Sequence, residues 1–272
     1  MAFGNDGNLL QHAIEAYLAS ELSAGGGLYL VCTHAMAPFE PFAVRDETKR
    51  DRWKRFDWWW ERASRPETGR EEPPFLTAYR CCRQQHRDLY PNTAQILSEL
   101  LGRHALEGHL CEVVKDHYEA LMEWCSGTAL VPHHKSWRDV LLKGTAPGGA
   151  GRPWLFTMDP FAFSIKDADD GDLHPNDAEL LVSPLRSFLQ SRQSGAFTAF
   201  CYSMAPEIAE SFRRWIVDLA RAAGGDDVHH AFAEVLRGAG PEAHVCGMIS
   251  RDAGLLKRVV EHWKTVRDTP IS

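Results

Sequence analysis

The chain has 272 residues, which allows one large domain or two modest ones at about 150 residues each. Hydrophobic residues make up 44% and charged residues 25%, excluding a disordered or fibrous chain. A formal net charge of −7 argues against a protein that coats itself in nucleic acid. No apolar run approaches the roughly 18 residues of a membrane span, and no secretory signal opens the chain. The seven cysteines are scattered and lack metal-ligand spacing, so they read as buried thiols in a reducing compartment rather than a disulfide framework or zinc site. A cytoplasmic protein with no metal and no membrane partner is expected.

Charge is unevenly placed. Residues 45–65 hold eight basic and five acidic side chains, whereas residues 159–182 hold seven acidic ones and a single lysine. An anionic partner would approach the first segment and avoid the second.

In chain order, apolar residues at three- and four-residue spacing (Leu9, Leu10, Ala13, Ile14, Tyr17, Leu18, Leu22) predict an amphipathic helix capped by Asn8 or Asp6. Three glycines end it, and LYLVCT (28–33) reads as a buried strand. A charged, irregular stretch over 43–87 follows, with a helical segment in which Trp53, Phe56 and Trp60 share a face. Further on come a helix at 93–103, a strand at 109–114, a helix at 115–125, a strand at 128–132 and a helix near 137–143. After the loop GTAPGGAGRP come a strand at 154–159, an acidic loop and a helix at 177–193. A strand at 197–202, a helix at 208–222, strands at 229–236 and 244–250 about a turn at 238–241, and a helix at 254–266 complete the chain.

Strands alternating with helices predict a parallel sheet covered on both faces, and the closing hairpin predicts one antiparallel strand near its edge. In open sheets of this kind ligands bind beyond the carboxyl ends of the strands, near the switch in strand order. That rule selects four places: Thr33-His34, Glu112, the His133–Trp137 segment, and Asp159-Pro160-Phe161.

A carboxylate ending a second strand, as Glu112 does, suits both hydroxyls of a ribose. It is equally a surface acid at a strand end. Asp159 at a strand tip can accept a hydrogen bond from an exocyclic amine while the rigid Pro160 aims its carbonyl at the second hydrogen, orienting the nitrogen lone pair toward an electrophile. Phe161 or Phe163 is the candidate for stacking on a target base. Against this, Asp-Pro also starts turns, and both phenylalanines suit a core.

The ordered set GNDGNLLQHAI (4–14), YLVCTHA (29–35), YPNTAQILSELL (90–101), HLCEVVKDHYEAL (109–121) and LFTMDPFAF (155–163) resembles the bacterial large-subunit ribosomal RNA adenine-N6 methyltransferases. The Asp-Pro-Phe step also resembles the three-Cys-motif partner (TcmP) relatives. The resemblance covers nearly the whole chain. It implies a single class I methyltransferase-like Rossmann domain with a seven-stranded, mostly parallel sheet and a helical insertion at about 43–87. It also implies S-adenosylmethionine as cofactor and N-methylation of adenine in RNA. Position by position, Asn5, Gln11 and His12 fall in the N-terminal motif that covers the cofactor. Thr33 and His34 then belong to the methionine end, Glu112 to the ribose, Ser136 and Trp137 to the adenine, and Asp159, Pro160 and Phe161 to catalysis. The chain departs from the pattern at Gln11 (a lysine in the family), at Met36-Ala37-Pro38 (a glycine-rich turn) and at Phe161-Ala162 (Pro-Tyr). A catalytically degenerate descendant serving as a binding module is the alternative these departures suggest.

Adjacent histidine pairs diverge in a strand or a helix and do not make a metal site. Four tryptophans in residues 53–60 exceed what one exposed helix tolerates. They predict a packed helical lid, a homodimer or partner surface, or an RNA-stacking platform.

Overall fold

The structure, a computed structural model, describes residues 5–42, 53–65, 72–142, 151–160, 163–164, 172–191, 194–203, 205–236 and 243–271. Helix α1 (Asp6–Leu22) precedes strand β1 (Leu28–Cys32). A short antiparallel pair, β2 (Phe39–Pro41) and β3 (Leu89–Pro91), brackets helices α2 (Lys54–Arg62) and α3 (Pro74–Gln85). Next come α4 (Thr93–Leu101), β4 (Leu106–Glu112), α5 (Lys115–Trp124), β5 (Ala129–His134), α6 (Trp137–Leu142) and β6 (Trp154–Met158). The chain ends with α7 (Asp177–Gln190), β7 (Gly195–Ser203), α8 (Pro206–Gly224), β8 (His229–Leu236), β9 (Ala243–Ser250) and α9 (Ala253–Asp268).

Seven strands form one sheet in the order β5-β4-β1-β6-β7-β9-β8. All neighbours are parallel except β9, which runs antiparallel to both β7 and β8, as the closing hairpin predicts. The turn expected at 238–241 lies outside the described residues. Period-two alternation divides the core: Leu28, Leu30 and Cys32 face α1, α3, α4 and α9, whereas Tyr29 and Val31 face α6, α7 and α8. Gly108 in β4 has φ +131°, and a Cβ there would collide with the carbonyl oxygen of Leu30. Only glycine lets β4 lie that close to β1.

Three expectations need correction. Asn5, rather than Asn8 or Asp6, caps α1: its Oδ1 accepts the amides of Gly7 (2.7 Å) and Asn8 (3.2 Å), while Asn8 Oδ1 accepts the Asn5 amide in a reciprocal box. α1 is also not amphipathic in place. Every residue from Asp6 to Ala16 is buried, because the sheet covers one side and α3, α4 and α9 cover the rest. Finally, α3 lies within the stretch read as irregular. Pro74 opens it, and Phe75, Leu76, Ala78, Tyr79 and Cys82 bury one face.

Parts of the expected insertion, 43–52 and 66–71, lie outside the described residues. Within it, Phe56 and Trp60 stack at 6.1 Å, and Trp60 meets Tyr79 edge-on at 5.1 Å. Trp53, Trp59 and Trp60 are buried in the chain's own core, and Trp58 is half-buried. No described helix is long and apolar enough to cross a membrane.

Candidate functional site

The strand order reverses beside β1: from β1 the chain goes outward through β4 to β5, then returns to place β6 on β1's other side. Backbone hydrogen bonds show the split. The Thr33 amide donates to Thr157 O on the β6 side (3.1 Å), and the Ala35 amide donates to Cys111 O on the β4 side (2.9 Å). A crevice outside the carboxyl ends of the strands opens at such a point.

The turn after β1 is held from two directions. Glu112, at the end of β4, accepts the Met36 amide on Oε2 (2.8 Å) and the Val114 amide on Oε1 (2.7 Å). Asn92, the N-cap of α4, donates its side-chain amide to Ala35 O (2.6 Å) and Met36 O (3.2 Å). Met36 takes φ +57°, a left-handed conformation that suits glycine. The clamps from Glu112 and Asn92 sustain that strain. Beyond Glu112, His117 of α5 lies 3.9 Å from Oε2 and 3.1 Å from Glu40.

On the other side stands Asp159, the residue after β6. Thr157 and Asp159 share the face toward α1, as period two requires. Tyr202 of β7 and Gln11 of α1 hydrogen-bond to Asp159, yet its Oδ1 is sealed from solvent with no partner. Burial raises the Asp159 carboxyl to about 6, and the bonds from Tyr202 and Gln11 pull against that rise. Gln11 also donates to Thr93 Oγ1 (3.0 Å), which donates to Glu15 Oε2 (2.7 Å). Glu15 Oε1 bonds the Thr157 hydroxyl. Full burial pushes Glu15 up to about 8, with the nearby Asp159 charge adding to the rise.

Of the residues singled out in the sequence, Asn5, Gln11, Thr33, His34, Glu112, Asp159 and Pro160 lie at the strand ends or on the α1 turns above them. Thr33 Oγ1 meets His34 Nδ1 at 2.7 Å. His12 is held away from solvent: its Nδ1 and Nε2 bond the hydroxyls of Tyr79 (2.8 Å) and Tyr90 (2.9 Å). Burial lowers its pKa to about 3, so it is a neutral structural imidazole. Trp137 is 1% exposed and packs in the core on the α6–α8 side, with Arg138 over its ring at 4.6 Å. Ser136, beyond the end of β5, is half-buried, and its Oγ accepts the Arg138 amide at 3.4 Å. Phe161 lies outside the described residues. Phe163, the other stacking candidate, is committed to the core against Phe212 (5.4 Å) and Trp215 (5.9 Å).

Sequence reasoning missed Glu15, Tyr202 and Asn92. Glu15 carried a signal, standing four residues after Gln11 on a helix whose other faces are apolar. Tyr202 and Asn92 carried none, because their roles depend on contacts across the fold.

No family model matches the chain, and no curated protein matches it in sequence. Among solved structures it is similar to protein LPL1258 from Legionella pneumophila, at TM-score 0.65 and 16% identity over 97% of this chain and 93% of that one. It is also similar to an rRNA methylase from Streptococcus thermophilus (TM-score 0.41, 9% identity, 88% and 95% covered). A SAM-dependent methyltransferase from Agrobacterium tumefaciens gives TM-score 0.42 at 10% identity, with 91% and 61% covered. At such identities the likeness is one of fold. The sheet order and the single antiparallel strand are those of the class I methyltransferase-like Rossmann fold.

Proposed function

We propose that the chain is an S-adenosylmethionine-dependent methyltransferase acting on an amine, with adenine N6 in RNA as its substrate. The observation that carries this is Asp159: a carboxyl at the tip of β6, at the switch point, with one oxygen buried and unpartnered. A buried acceptor left without a donor costs about 1–3 kcal/mol, and an amine N–H supplies the missing partner. The remaining groups fit the cofactor. Glu112 keeps lone pairs beyond the two amides it accepts and would hold the ribose; Thr33 and His34 would hold the methionine end, and Ser136 would meet the adenine.

Bound S-adenosylmethionine supplies an electrophilic methyl group on sulfur. Asp159 Oδ1 accepts one hydrogen of the target amine and the Pro160 carbonyl accepts the other, turning the nitrogen lone pair toward that methyl. Tyr202 and Gln11 fix the Asp159 carboxyl from behind, so its orientation costs nothing at the moment of transfer. As positive charge grows on nitrogen, the carboxylate stabilises it. The amine loses its proton after methylation, so no strong base is required.

The test is calorimetric titration with S-adenosylmethionine and S-adenosylhomocysteine, followed by methyl transfer to RNA. Binding in the micromolar range, about −8 kcal/mol, is expected. Asp159→Ala should abolish transfer while leaving affinity for S-adenosylhomocysteine nearly intact. Transfer that survives Asp159→Ala would remove this residue from the reaction. One observation favours the second hypothesis, a non-catalytic binding module: Met36 stands where a glycine would leave room for the cofactor. Failure of both ligands to bind would select it.

A further inference from the structure

α1 and the end of β6 bring two carboxyl groups near one another, Glu15 fully buried and Asp159 half-buried with its Oδ1 sealed from solvent, and no cation among the described residues pairs with either. Glu15 is bonded by Thr93 and Thr157, and Asp159 by Tyr202 and Gln11. Neither has a lysine or arginine partner among the described residues. The other titratable groups facing the pair come from five elements. α1 contributes His12, held neutral between two tyrosines, and β3 contributes Tyr90. β1 contributes Cys32, with His34 just beyond its end; β7 contributes Tyr202; β9 contributes Cys246, with His244 against Tyr202 at 5.1 Å. β6 itself contributes no further titratable group. Burial raises the thiols Cys32 and Cys246 and the phenols Tyr90 and Tyr202, so these four are neutral at pH 7.

Buried charges in proteins are paired, and an acid pair lacking its cation stays partly protonated until one arrives. We infer that Glu15 and Asp159 together are the counter-charge for the sulfonium of the methyl donor, so that the charged donor binds with expulsion of a proton and its neutral thioether product does not. This rests on the methyltransferase assignment above. The charge balance is simple: one positive charge enters the crevice on sulfur, and one leaves as a proton to solvent. The raised position of Glu15, about 8, means that a proton is there to expel at pH 7. The same exchange sets donor against product, because the pair rewards only the charged form.

The experiment is calorimetry of the full chain with S-adenosylmethionine and with S-adenosylhomocysteine at pH 7, each in two buffers of different ionisation enthalpy. The donor should release about 0.5–1 proton and the product close to none. The donor-to-product affinity ratio should rise by about tenfold or more between pH 6 and 8.5. In Glu15→Gln the ratio should be flat with pH and the extra proton gone. Equal proton counts for the two ligands overturn the inference in the wild-type chain alone, without need of the variant. Persistence of the difference in folded Glu15→Gln also overturns it, pointing to His34 instead. Failure of either ligand to bind is a separate signature, and it overturns the methyltransferase assignment together with this one.

Discussion

The Glu112 carboxylate and the Met36 amide are joined at 2.8 Å, so the acid at the end of β4 fixes the backbone of the turn that follows β1. A ligand held by Glu112 therefore feels the shape of residues 33–38 directly.

Removing that link has two readable effects. Glu112→Ala leaves the Met36 and Val114 amides without their acceptor and should destabilise the fold by about 1–3 kcal/mol. It should also abolish cofactor binding. Thermal unfolding and calorimetry on the same sample measure the two separately. Met36→Gly should tighten cofactor binding by clearing the side chain from the turn, and should raise the melting temperature because glycine adopts the left-handed conformation without the roughly 1–2 kcal/mol penalty of a side chain. Unchanged affinity would show that the turn does not border the ligand.

Asp159 must be ionised to accept an amine hydrogen and to stabilise charge on nitrogen. Its carboxyl is raised from 3.8 to about 6. The rate of methyl transfer should therefore fall as pH drops through about 6, tenfold per unit once well below it. Asp159→Asn should be slow at every pH and lack this inflection, while binding S-adenosylhomocysteine as before.

Glu15 makes the fold less stable as pH rises. Its folded value, about 8, lies above the usual 4.5, so the unfolded chain sheds this proton first. The contribution is full below about 4.5 and is lost progressively up to about 8. By pH 7 the loss is on the order of 3 kcal/mol. Glu15→Gln keeps a donor for Thr157 and an acceptor for Thr93 and cannot ionise. Its melting temperature at pH 7–8 should exceed that of the wild type, and the two should converge near pH 4.5.

His12 acts in the opposite direction. Its folded value is depressed to about 3 against 6.5, so stability is present above pH 6.5 and is lost as pH falls toward 3. In the Glu15→Gln background, where the opposing acid is gone, melting temperature should decline steadily below pH 6.5. A level profile from 6.5 to 4 would show that His12 is not the neutral, buried group described.

Much of the fold was legible because alternation and burial are local properties. The Trp154–Met158 strand reads off its own apolar run, and Glu112 and Asp159 stand at strand ends whose positions follow from it. α3 was not legible, since its five buried residues sit between charged flanks that mask the spacing. The behaviour of α1 was not legible either: a helix packed on every side buries Gln11, His12 and Glu15 along with its leucines, and periodicity alone assigns such residues to the solvent. Trp137 shows the reverse error. Its place after a strand suggested a ligand contact, but a large apolar ring there is drawn into the layer beneath.

The position of α1 also governs how the chain can fold during synthesis. Tyr17 stacks on His262 at 4.3 Å, and Glu21 pairs with Arg258 at 2.9 Å, so the first helix is sealed by the last. These contacts span nearly the whole chain, and such long-range closure is slow. Until α9 has left the ribosome, α1 keeps an uncovered face, and a nascent chain stalled before residue 253 presents it to chaperones and to other chains.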